Sequence, residues 1–468
     1  MEAYFKYFRF NLKFLVIAVL LLGIFFRGTH IDRKVYWHDE VFTPMQASGY
    51  STADVDAKVF TGVPLSPQQL LQYQRLSPDR GWDKTWQALS LDPVHLPFYF
   101  LLERLWMTWF GSTVTVTRSL SVVFSLLSFP ALYWFCRELF DRPTFKWIAL
   151  ALFAVSPFQV LYAQEARPYS LWILAMLLSS AAFLRALRRQ TWGSWALYAA
   201  AVALLLNTFI LSSGVLICHG LTVWLDSPRS RRSLQCYGIS LAAGLLTVIP
   251  WIIVQVQNWE SFSSKTAWTT ISPPKSFLLK LWGLHFSSSF IDLGLPLEHL
   301  YAYIIPPIIG ILMGCAIWLL CQHAARRAWL LILLLMTLPV MILILPDIVL
   351  GGQRSVNGRY FAPALVSTQL VAAYGLAHLI EYGRFSLRQV GKVLFVVILV
   401  AGILSCTLSW QADTWWSKGS SYNNAALARS INQLHQPIIV RKLGNTTLGD
   451  TISLSYLVKD DVRFIMVK

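Results

Sequence analysis

The sequence predicts an all-α polytopic membrane protein with about eleven transmembrane helices, further helices lying along its outer face, and a small α/β segment at its C-terminus. Two observations carry that class. Of the 468 residues, 56% are apolar and only 13% charged, and the apolar residues arrive in blocks of roughly 15 to 20, the length that crosses a hydrocarbon layer. The basic residues, which give a formal charge of +16, sit in short clusters between those blocks and not along one face. That placement argues against a nucleic-acid partner and reads as a topology signal.

In chain order, spans are expected over residues 10–27, 119–136, 147–163, 169–184, 193–207, 209–225, 237–254, 301–320, 328–346, 361–380 and 393–410. Lys6, Arg9 and Lys13 precede the first apolar run. The following Arg27-Gly28-Thr29-His30 offers no small-residue cleavage site, so the run reads as an uncleaved first span and not as a signal peptide. Basic connections (Arg137, Arg142, Lys146; Arg185, Arg188, Arg189; Arg229, Arg231, Arg232; Arg326, Arg327; Arg384, Arg388, Lys392) alternate with poorly basic ones. Placing the basic set in the cytoplasm puts the N-terminus inside and the C-terminal tail outside, as expected of a multi-pass protein of the cell's inner (plasma) membrane.

The stretch from Leu96 to Phe110 resembles another span, yet counting it would turn every later arginine cluster outward. It also carries Glu103-Arg104 in its middle, so it is expected to lie along the outer membrane face. Residues 28–118 then form one large outer loop, turn-rich at Ser66-Pro67 and over 77–81. A second outer segment covers 256–300, with a Pro273-Pro274 turn and a short apolar stretch that would also lie on the surface. The chain thus divides into a membrane domain, 1–410, and an extracytoplasmic tail, 411–468, with a helical pattern over 424–434 and strands over 437–440 and 463–467. Asn445-Thr446-Thr447 matches a glycosylation acceptor, a pattern short enough to arise by chance. Cys136, Cys218, Cys236, Cys315, Cys321 and Cys406 lie in or beside apolar blocks without metal-ligand spacing, and are expected to be free thiols.

Polar strings that charge parity places on the outer side stand out against this background. They are Trp37-His38-Asp39-Glu40 after the first span, residues 162–169 (YAQEARPY) between the third and fourth, and Asn357-Gly358-Arg359-Tyr360 entering the tenth. To these is added Asp92-Pro93-Val94-His95-Leu96-Pro97, leading into the surface helix. Carboxylates are costly in lipid, so Asp39 and Glu40 belong in a water-facing pocket.

The HDE string after the first span, the HxP approach to a surface helix, YAQEARPYS after a later span and RYFAP at a late one together resemble bacterial GT-C glycosyltransferases of the protein O-mannosyltransferase-like and aminoarabinose-transferase-like kind. The resemblance covers most of residues 1–410 and leaves the tail outside. It implies a GT-C membrane domain that takes a sugar from a polyprenyl-phosphate lipid at the extracytoplasmic face. It also implies that the aspartate of the first outer loop, here Asp39, is catalytic.

The residues fit that chemistry on their own terms. Transfer from a lipid phosphate needs a base for the acceptor hydroxyl and cationic donors for a phosphate that becomes more negative as it leaves. Asp39 is the first choice of base, in a displacement that inverts the sugar carbon, and Glu40 either shares that task or holds Asp39 in place. The bland alternative is that both merely solvate the loop after a span. Arg359 and Arg167 offer paired guanidinium donors suited to phosphate, with His95 beside them. An arginine snorkelling at a helix end needs no substrate, however, and Glu165 could simply pair with Arg167. Asn357, Tyr162, Tyr169 and Tyr360 complete the candidate donor site, although an interfacial aromatic belt would place tyrosines there too. His285 and His299 could ligate a divalent metal with an outer carboxylate; no spacing decides this, and the cofactor stays open. The acceptor stays open among protein, glycolipid, polyprenyl lipid and polymer. The rival class is a lipid or sugar transporter or flippase, which tends to carry mid-membrane charges on broken helices in paired repeats. Here the charges gather on one face and no internal repeat is visible.

Overall fold

The computed structural model describes residues 2–226 and 230–468, with side chains from residue 12 onward; Arg229 and the side chains of Lys6 and Arg9 lie outside the described residues. Every one of the predicted spans coincides with helix. Among the described residues seven helices are long and apolar enough to cross a membrane, or eight when Pro143–Ala154 and Pro157–Ala163, bent by 56°, count as one. The count falls short of eleven for local reasons. Trp192–Leu206 and Ser212–Leu225 are apolar but have only 15 and 14 residues, below the ~20 that a straight span needs. The first helix, Glu2–Gly28, is apolar over residues 14–26, but its side chains are described only from residue 12, and it is not among the seven.

Two helices form the centre of the bundle. In Tyr169–Arg189 and Ala362–Tyr382 nearly every side chain is buried, packed against Val114–Leu139, Pro143–Ala154, Tyr301–His323 and Arg326–Val349. Connections alternate in length. Short turns such as 140–142, 190–191, 324–325 and 383–384 join helices at one end of the bundle, where the basic residues sit, and the long segments 29–113, 258–300 and 412–468 all belong to the other end. Val114–Leu139 shows the polarity in one element, with Arg118 near its start and Arg137 near its finish.

Arg27 holds the break in the bent pair. It is fully buried and donates to the carbonyls of Phe153 (3.0 Å) and Ala154 (2.6 Å), which the bend deprives of helical partners, and to Ser125 Oγ (3.0 Å). Gln164 Nε2 then donates to the carbonyls of Phe26 (2.8 Å) and Thr29 (2.9 Å), tying the turn after the bend to the first helix. Backbone groups left unpaired in such a setting would each be costly.

The stretch expected to lie on the surface is the helix Phe98–Phe110, about 20 Å long at helical rise and short of a membrane's hydrocarbon thickness. It buries Tyr99, Phe100, Glu103 and Arg104 inward and exposes Trp109 and Phe110. The second outer segment folds as Trp259–Thr266, a short 3-10 turn and Lys275–Ser287.

The tail does not stand apart from the first loop. Strands β1 (Pro64–Leu65), β2 (Ile438–Lys442) and β3 (Arg463–Val467) make one sheet in the order β1-β3-β2, antiparallel between β1 and β3 and parallel between β2 and β3. Helix Thr447–Ser455 makes the crossover that a parallel pair requires. Tyr36, Val41, Met45 and Phe60 of the first loop share a single apolar core with Ile452, Leu454, Phe464 and Met466 of the tail. All six cysteines are free.

Candidate active site

Trp37 ends the approach from the first helix, and helix His38–Ala47 begins immediately, so Asp39 and Glu40 both fall in its first turn, where carboxylates are favoured. They point to different partners. Glu40 is fully buried and accepts from Arg118 Nε (2.8 Å) and Nη2 (2.7 Å) and from the backbone amide of Ala166 (2.9 Å). Arg118 spends its other donors on the carbonyls of Ile31, Lys34 and Val35, each at 2.8 to 2.9 Å. Glu40 is therefore closed inside a clamp that joins the first loop, Val114–Leu139 and the turn before Tyr169, and it faces no acceptor.

The Asp39 side chain keeps 22% of its surface exposed, and its Oδ2 lies 2.7 Å from Arg359 Nη2. Burial by itself would raise this carboxyl; Arg359 and then Arg167 outweigh it and hold the group at about 2. Arg359 sits in the 3-10 turn Gly358–Phe361 at the start of Ala362–Tyr382, with its guanidinium carbon 5.1 Å from the Trp37 ring centre, 5.6 Å from Tyr169 and 5.5 Å from Tyr360. Gly358 allows that turn its place, because a Cβ there would come within 2.6 Å of His285.

Arg167 lies two residues before Tyr169–Arg189, the other central helix. Its Nη1 donates to the Asp39 carbonyl at 3.1 Å and its Nη2 lies 2.7 Å from His95 Nε2. Burial, and next the charge of Arg167, push His95 down to about 3, so its imidazole is neutral and accepts from Arg167. His95 thus orients Arg167 through Nε2, adds no second positive charge, and keeps its proton on Nδ1. Two cations are fixed at the starts of the two central helices, and both retain a buried Nε with no partner.

Tyr162, Tyr169 and Tyr360 form one aromatic wall with Phe209: Tyr162 and Tyr169 are 5.6 Å apart, Phe209 is 5.7 Å from Tyr169, and Tyr360 is 5.8 Å from Phe209. Asn357 is half-buried and precedes the Arg359 turn, its carbonyl accepting from Tyr360 N at 3.0 Å. Glu165 does not pair with Arg167. It is buried against Lys418 of the tail, and the two form an ion pair. His285 donates to the Val356 carbonyl (2.9 Å) and His299 Nδ1 accepts from Tyr301 N (3.1 Å). Among the described residues no three His, Cys, Asp or Glu side chains gather as a metal would need.

Sequence reasoning missed Arg118 and Lys418. Arg118 carried a signal, a cation directly adjoining the apolar run 119–136, where a charge at the membrane's edge calls for a partner. Lys418 carried none, since a lysine after a last span is ordinarily solvated.

No protein-family model and no curated protein matches the chain. Among solved structures it is similar to ArnT from Cupriavidus metallidurans bound to undecaprenyl phosphate, with a TM-score of 0.52 and 16% identity over 97% of this chain and 85% of that one. The apo state of the same protein gives 0.52 and 15% over the same shares. The apo oligosaccharyltransferase of Archaeoglobus fulgidus gives 0.56 and 11%, covering 100% of this chain but only 65% of the archaeal one. The chain therefore shares the fold of these solved proteins.

Proposed function

We propose that this chain is an integral-membrane glycosyltransferase that moves a sugar from a polyprenyl-phosphate carrier to an acceptor at the extracytoplasmic face of the plasma membrane. The observation that carries the reading is the Asp39–Arg359 pair, a partly exposed carboxylate bridged to an arginine with a donor still unused. The binding of undecaprenyl phosphate by a protein of the same fold supports a carrier of this chemistry. The basic connections at the opposite end of the bundle support the choice of face.

Charge supports the donor. Asp39, Glu40 and Glu165 are three carboxylates set among four cations, Arg118, Arg167, Arg359 and Lys418. A sugar phosphodiester brings one negative charge and its phosphate leaves with two, so an excess of fixed positive charge favours the departing state over the bound one. Arg359 and Arg167, each with a free Nε, are the phosphate ligands. The aromatic wall and Asn357 border the space for the sugar.

Asp39 held at about 2 is ionised but a feeble base. Phosphate binding supplies the remedy: as Arg359 turns its donors to phosphate oxygens, the carboxylate loses its strongest stabilising neighbour and its proton affinity rises. The acceptor hydroxyl then attacks the anomeric carbon as the bond to the phosphate oxygen breaks. The bonding pair leaves with the carrier phosphate, the hydroxyl proton passes to Asp39, and in-line attack inverts the carbon.

The test uses purified protein in liposomes, labelled polyprenyl-phosphate sugars and an envelope extract as acceptor. Wild type should transfer label, and Asp39→Asn should lower kcat by about 10² to 10⁴. Equal transfer by Asp39→Asn removes Asp39 from the mechanism, and labelled lipid crossing the bilayer without transfer makes the protein a transporter.

A further inference from the structure

Resting on the transferase reading, we propose that the C-terminal segment completes the active site, with Lys418 as a positioning residue that fixes the turn carrying Arg167 and the indole beneath Asp39 and Arg359. Lys418 lies in the 3-10 stretch Trp416–Ser421, just after the last long helix, and both it and Glu165 are 1% exposed. Its ammonium sits 5.4 Å from the centre of the Trp37 ring, and the Arg359 guanidinium lies 5.1 Å from the same ring. One indole thus serves two cations, one from the tail and one from the site. Trp37 is also the N-cap of the helix that holds Asp39, so the ring's position and the carboxylate's are set together.

The other half of the brace runs through Glu165. Arg167 N donates to the Glu165 carbonyl at 2.7 Å, closing a tight turn between the two residues, and Lys418 anchors that turn by its carboxylate. Ser421, from the same stretch, accepts from His38 N at 3.0 Å and donates to Asp450 at 3.0 Å, capping the first turn of the Asp39 helix. The stretch is itself pinned from behind. Asp292 accepts from Trp415 Nε1 (2.9 Å) and Trp416 Nε1 (3.0 Å), and Trp416 stacks on His285 with centroids 5.8 Å apart.

A buried lysine–carboxylate pair is a poor way to add stability, because desolvating both charges offsets most of their attraction. Its location is what distinguishes this one. It joins the tail to the two loops that deliver the base and one phosphate ligand, and a displacement of the order of 1 Å in such groups costs about a hundredfold in rate.

The test compares wild type, Lys418→Met, Lys418→Arg and the double variant Lys418→Met/Glu165→Gln for sugar transfer, for binding of undecaprenyl phosphate, and for thermal unfolding in detergent. Lys418→Met should lose about a hundredfold in kcat and, because the turn carrying Arg167 is released, should also bind undecaprenyl phosphate more weakly than wild type. The double variant, which leaves no buried charge unpaired, should regain the unfolding temperature but not the turnover; Lys418→Arg should regain part of the turnover. Recovery of both properties in the double variant overturns the inference and leaves a structural pair, as does full turnover in Lys418→Met. A wild type that transfers nothing overturns the transferase reading first, and this one with it.

Discussion

Asp39 and Glu40 are neighbours in one helical turn, and the structure treats them as opposites. Around Glu40 every partner is protein: a bidentate arginine, a backbone amide, and an arginine whose remaining donors all reach carbonyls. Around Asp39 the set is incomplete, with one arginine on the carboxylate, another on its own carbonyl, and an unpartnered Nε on each. A buried charge whose hydrogen bonds are all satisfied has nothing left to offer a substrate, whereas a half-satisfied cluster is costly unless a ligand finishes it. The difference separates the group that holds the loops together from the group proposed to act on substrate.

Substitutions at the two positions should break differently. Arg118→Met leaves the Glu40 carboxylate buried and alone, and unfolding in detergent should show a loss of about 3 to 5 kcal/mol, whereas Asp39→Asn should lose less, about 2 kcal/mol, the share that its ionised form contributes. If the two variants were equally unstable, the Asp39 cluster would be a second clamp and not a site. Arg359→Ala should come next in size. It removes a positive charge proposed to face the departing phosphate, so kcat should fall by about 10² to 10³ in steady-state transfer assays. Because Arg359 is absent from the Glu40 clamp, its variant should lose less stability than Arg118→Met, about what Asp39→Asn loses.

Hydropathy marked the spans because a helix in lipid must be apolar over a contiguous run, and charge parity marked the outer strings because arginines and carboxylates persist beside apolar blocks only at their ends. Asp39, Arg167 and Arg359 were legible on those grounds, and the structure brings all three into contact. The partner of Glu40 was not, since pairing Glu40 with Arg118 or Glu165 with Lys418 depends on how distant segments pack. The sheet was half hidden for the same reason: β1 has two residues and finds its mate some four hundred positions later. The crossover helix Thr447–Ser455 escaped because TLGDTISLS, with its glycine, threonines and serines, has weak helical preference, and burial of Leu448, Ile452 and Leu454 in the shared core overrides it.

The finest test of the comparison is the acid side of the pH profile. The Asp39 carboxyl stands at about 2 against an ordinary 3.8, so its ionised form is favoured by folding. That contribution, of order 2 kcal/mol, is complete above the unfolded value and fades as pH falls through the folded one. In free enzyme, kcat/KM should therefore show no acidic limb from Asp39 above about pH 3. Arg359→Ala removes the strongest force holding the carboxyl down and leaves burial to raise it, so the residual activity of that variant should acquire an acidic limb at higher pH than wild type. Conservative replacement by Arg359→Lys, which keeps the charge, should leave the limb nearer its original place while losing the paired donors to phosphate. An acidic limb that stays fixed across wild type and both variants would mean that Arg359 does not govern the ionisation of Asp39, and the proposed exchange of partners on phosphate binding would lose its physical basis.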